Sequence, residues 1–122
     1  MEEQAKVYEL KQSILNMAVE AWRFRSTFEK AMSKLDAGEG AKYMSKYGWF
    51  MRKVDDAMAA AGLRCVNLEG QEYNEGFAVT PINIEDFEPD DRLYIAQMLE
   101  PIIMDEEKII KTGTVFLKRY EL

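Results

Sequence analysis

Five carboxylates crowd one short stretch of this chain: Glu85, Asp86, Glu88, Asp90 and Asp91. Oxygen donors at that density are the chemistry of a hard divalent cation, calcium or magnesium. The stretch lacks the glycine and the closing glutamate of an EF-hand loop, and a solvated acidic turn accounts for it more simply. Asp105, Glu106 and Glu107 likewise read as the wet tip of a hairpin. No histidine occurs anywhere, which removes the usual general base near neutral pH and the commonest metal ligand. No GxSxG, P-loop or GxGxxG pattern is present, and the GEG at 38–40 sits in a helix turn rather than after a strand. These residues point away from an enzyme and ask for no cofactor. Cys65 is the single cysteine, so no intrachain disulfide is possible, and its apolar-rich surroundings predict a small buried residue.

Charge narrows the partners. A net charge of −6 supplies no basic face for counterion release, which disfavours nucleic acid and anionic membranes and favours basic or neutral protein surfaces. No apolar run approaches the roughly 18 to 20 residues of a membrane span. The opening MEEQAKVYELK has neither the charged head nor the apolar middle of a signal peptide. A cytoplasmic protein is expected.

The element that must position everything else is a ladder near the amino terminus: Val7, Leu10, Ile14, Met17, Ala21, Phe24, Phe28, Ala31 and Leu35. Alternating spacings of three and four make the seam of a helix that packs lengthwise against another helix. A helix over residues 3–36 would be about 50 Å long at ~1.5 Å per residue, too long to fold back usefully on so short a chain. The seam therefore predicts a homodimer. Residues 36–40, DAGEG, read as a turn between antiparallel helices. A second helix is expected over 41–61, striped by Met44, Tyr47, Met51, Val54, Met58 and Ala61 and widened by Phe50 and Ala57. Gly62 stands where a helix ends in a left-handed residue. Two striped helices per chain fit a four-helix bundle built by two protomers. Its interface is expected to use Leu10, Ile14, Met17, Ala21, Phe24 and Phe28 of the first helix with Met51, Val54 and Met58 of the second. Trp22 and Trp49 are expected to pack between helices, with a binding anchor as the other reading.

After Gly62 the pattern changes to short β-rich runs. Strands are expected at 63–68, 77–84, 92–100, 102–104, 108–111 and 114–120, with turns at 69–71, 87–91 and 105–107, and Pro81 argues for a sheet edge or bulge. The class is α+β: a helical dimerisation domain over 1–62 and a small all-β domain over 63–122.

Four segments carry a likeness. FEKAM (28–32) looks like LERAL, and VDDAMAAAGLRCVNLEGQEYN (54–74) is similar to LLDVLKKHGVERIEPEGEPFD. EPDDRLYIAQMLEP (88–101) runs parallel to EPGTVVEVLQKG, and EKIIKTGTVFL (107–117) to GRVIRPAMVVV. In this order and spacing they resemble GrpE, the nucleotide exchange factor of DnaK-type heat-shock chaperones, over about residues 15–118. The resemblance implies a homodimer whose β-domain meets the chaperone's nucleotide-binding domain. It implies contacts from Lys108, Lys111, Met98 and Leu117, with Phe77 completing an apolar patch. The chain departs from the family in EYNEGFAV (72–79), two residues shorter than its counterpart, in Glu100, Pro101 and Ile102 at the KGY turn, and in most of the long stalk. Lysine for arginine at 108 and 111 keeps the charge but loses the planar fork. The other expectation is a non-catalytic dimeric adaptor that keeps this shape and serves another protein.

Overall fold

The computed structural model describes residues 1–121. Two long helices precede six strands in two small sheets, an α+β arrangement. The chain divides into two compact units, Met1–Arg64 and Cys65–Leu122.

In the first unit, α1 runs Glu2–Met32 and α2 runs Ala37–Ala60. Helix α1 opens with Glu2 and Glu3 and closes with Lys30, charges that complement its dipole. The turn lies earlier than DAGEG suggests, because Asp36 is a cap rather than a loop residue. Its carboxylate accepts the Glu39 backbone N–H at 2.9 Å, and Gly38 and Gly40 fall inside the first turn of α2. The D-x-x-E spacing of Asp36 and Glu39 is the helix-start signal that the two glycines obscured. A Cβ at Gly40 would lie 3.3 Å from the Met32 carbonyl oxygen, so glycine lets α2 start close against the end of α1. Farther along the hairpin, Phe28 stacks on Tyr47 with ring centroids 5.1 Å apart. Gly62 takes the expected left-handed conformation, with φ of 78°, just past the end of α2.

The buried residues of α1 are Leu15, Ala18, Val19 and Trp22, spaced i, i+3, i+4 and i+7. That row is a different face from the expected seam, turned about 130° around the helix at ~100° per residue. In α2 the buried residues are Gly40 and Met58.

The strands are β1 (Leu63–Val66), β2 (Val79–Pro81), β3 (Leu93–Glu100), β4 (Ile102–Asp105), β5 (Lys108–Lys111) and β6 (Gly113–Arg119). They form two sheets rather than one, ordered β1-β4-β5 and β2-β6-β3. Strand β2 is a sheet edge, which suits Pro81, and pairs in parallel with β6. It is shorter than expected because a 3-10 turn at Ile84–Asp86 ends the extended run. Strands β3 and β6 are antiparallel, with register shifts between Ile95 and Gln97 and between Met98 and Glu100. Strict alternation from Leu93 and Ile95 would turn Gln97 inward. The first irregularity resets the phase, so Met98 is buried instead. Alternation holds along β6, where Gly113, Val115 and Leu117 are buried. With Leu93, Ile95, Pro101, Ile102 and Ile103, these side chains make the core of the second unit. The other edge of β3 is lined by the segment after β1: Gly70 and Tyr73 donate to the carbonyls of Ile95 and Leu93, and Ile95 donates to Gln71, each at 2.8 to 2.9 Å. Gly70, with φ of 88°, supplies the turn that begins this pairing.

Candidate functional site

Two surfaces stand out, one on each unit. On α1 the expected seam is an exposed apolar row: Leu10 is 52 % exposed, Met17 75 % and Phe24 54 %. Val7 extends it toward the amino terminus, and Ile14, Ala21 and Phe28 are half-buried beside it. Met51 and Val54 of α2 are half-buried as well. Met58 departs from the expected interface. At 1 % exposure in the single chain it is a core residue with no surface to offer a second copy. Leu35 lies beyond the end of α1, so the row stops short of its expected carboxyl end.

Trp22 is buried as expected, but Trp49 is 58 % exposed on α2, with the Lys53 ammonium 5.5 Å from its ring centre. Tyr47 has a buried hydroxyl with no hydrogen-bond partner among the described residues. Burial pushes its pKa up against the opposing pull of Arg25, with Glu29 and Asp55 adding to the rise. Asp55 is also raised, first by burial and then by neighbouring Asp56.

The second surface is the β-domain face implied by the resemblance, and its five residues do not form one exposed patch. Lys108 is exposed at the start of β5, and Phe77 is half-buried ahead of β2. Lys111 is engaged within the domain: its Nζ lies 2.9 Å from Glu100 Oε1 and 3.1 Å from the Thr112 carbonyl. Met98, at 2 % exposure, and Leu117, at 0 %, are core side chains. Their expected contact with a partner is corrected accordingly, since the bulged register of β3 and the alternation of β6 turn both inward. Met98 is held there from two sides, its N–H donating to Glu69 Oε2 at 2.9 Å and its sulfur lying 3.1 Å from the Leu68 nitrogen. The exposed members of this region are Lys108 and Ile109, the latter a neighbour that the sequence did not single out.

Asn83 also went unread in the sequence. Its side-chain amide bonds the backbone of Leu117 and continues the pairing of β2 with β6 beyond Pro81.

The acidic stretch is organised by hydrogen bonds and ion pairs. Asp91 accepts the Glu88 N–H and the Arg119 guanidinium, each at 2.9 Å, and Arg92 pairs with Glu72 at 3.0 Å. The Glu88 backbone N–H, followed by Arg119, holds the Asp91 pKa below the usual carboxylate range, and the Glu72 carboxylate raises that of Arg92. Among the described residues no three Cys, Asp or Glu side chains come together in a way that could hold a metal ion. Cys65, the single cysteine, is half-buried rather than buried. Among the described residues no helix is long and apolar enough to cross a membrane. No protein-family model matches this chain, and no curated protein or solved structure matches it either.

Proposed function

We propose that this chain is a GrpE-like nucleotide exchange factor, a homodimer that binds the nucleotide-binding domain of a DnaK-type chaperone and promotes loss of ADP. The observation that carries the reading is the row Leu10, Met17 and Phe24, more than half exposed in one chain at heptad spacing. Such a row on a helix of 31 residues is a seam without its partner. Burying each side chain contributes about 1.5 to 3 kcal/mol, enough in sum to hold two helices together. The small β-domain and the four family-like segments, in family order, add the grip. The mechanism is differential binding: the dimer holds an open, nucleotide-poor conformation more tightly than the closed one and so raises its population. No covalent bond changes. Lys108 supplies the cation, exposed at the start of β5.

A binding titration against the purified nucleotide-binding domain tests the reading. Wild type binds, and Lys108→Glu weakens binding at least tenfold, about 1.4 kcal/mol, with the dimer intact. Unchanged affinity in that variant contradicts the β5 face.

The second reading, a dimeric adaptor for another protein, is favoured by the burial of Met98 and Leu117. Two of the five implied contacts are then core residues, and a scaffold of this shape would keep them without touching a chaperone.

A further inference from the structure

Residues 72–92 hold seven carboxylates against the single cation Arg92. That imbalance equals the net charge of the whole chain, −6, so the remaining hundred or so residues are neutral in sum. The second unit folds part of this stretch around a groove of about 360 Å³, within the roughly 300 to 1,000 Å³ typical of ligand-holding clefts. Ile84, Phe87, Pro89 and Leu93 line it together with Arg92; Ile84 is 43 % exposed and Pro89 is exposed, whereas Leu93 is buried and Phe87 has the Arg119 guanidinium 5.7 Å from its ring centre. The groove's carboxylates fall into two groups. Glu72 and Asp91 are already paired, with Arg92 and Arg119. Glu75 and Glu88 also line the groove and have no ion pair among the described residues.

We propose that this groove docks a basic, apolar-flanked peptide segment of a partner protein. Two carboxylates without a cation beside an apolar lining match an arginine or lysine, which lays its methylene stem on apolar surface and leaves its charged head at the polar edge. Leucine-like neighbours of that residue would cover Ile84 and Pro89, which are exposed. Nucleic acid and anionic lipid are repelled by the local charge, which at the same time steers a basic segment inward and speeds its association. A bare divalent cation would leave the apolar lining uncovered, and the carboxylates are not gathered to hold one. The proposal goes beyond the exchange-factor reading and does not depend on it, because the groove lies within residues 72–93 and contains neither Lys108 nor the α1 row.

Fluorescence anisotropy of a labelled peptide of alternating arginine and leucine, titrated with the full chain, tests it. The peptide binds saturably, and the double variant Glu75→Gln/Glu88→Gln, with its melting transition preserved, weakens binding about tenfold. The matched variant Glu2→Gln/Glu3→Gln removes the same charge from the exposed start of α1 and changes affinity less than about twofold. A peptide with glycine in place of leucine binds several-fold more weakly. Absence of saturable binding overturns the proposal. So does equal weakening by the two double variants, which reports general attraction between opposite charges. Equal affinity for the glycine peptide also overturns it, because the apolar lining would then have no part.

Discussion

The side chain of Asn83 closes on both backbone groups of Leu117. Its Nδ2 donates to the Leu117 carbonyl at 2.9 Å, and its Oδ1 accepts the Leu117 N–H at 3.0 Å. An amide side chain thus takes the place of a strand residue where the 3-10 turn at Ile84–Asp86 draws the main chain away from β6. Asn83→Ala leaves both groups of a core residue without these partners, so a loss of about 1 to 3 kcal/mol is expected in denaturant unfolding. Asn83→Asp retains one acceptor and loses the donor, and should recover only part of that loss.

Asp91 gives the domain an acid sensitivity. Its pKa is depressed in the folded state, first by the Glu88 backbone N–H and then by Arg119. A group depressed on folding stabilises the protein above its unfolded pKa, near 4, and the contribution is lost as pH falls through the lower folded value. Melting temperatures of wild type and Asp91→Asn should therefore differ at neutral pH and converge below about pH 4. A gap that stays constant down to acid pH would contradict this linkage.

The elements were largely legible in the sequence, because period and turn chemistry are local signals. The 3.6-residue stripes gave both helices, Gly62 gave the end of α2, and Pro81 marked a sheet edge. Side-chain destinations were less so. Leu15, Ala18, Val19 and Trp22 form a second apolar row on α1, and periodicity alone does not rank two rows on one helix. The burial of Met98 depends on a bulge, which shifts phase by one residue and leaves little trace in composition. The start of α2 is masked in the sequence because Gly38 and Gly40 read as a loop, although Asp36 caps the helix that contains them. Asn83 had no signal at all, since its role exists only once β6 lies beside β2.

The α1 row predicts self-association. Light scattering should give twice the chain mass of 14.2 kDa for wild type. Phe24→Asp places a charge in the seam and should return the mass of a single chain, while the β-domain keeps its fold. A wild-type mass equal to one chain would remove the helical half of the account.

Nucleotide release from a chaperone reads exchange activity itself. Fluorescent ADP is preloaded on a DnaK-type chaperone from the same cell, and its dissociation is followed after addition of this protein with excess unlabelled nucleotide. Wild type should accelerate release at least about tenfold, equivalent to ~1.4 kcal/mol off the barrier, and Lys108→Glu and Phe24→Asp should each lose most of that effect. Release at the unassisted rate, at protein concentrations that saturate binding, would contradict exchange activity and leave the adaptor reading in its place.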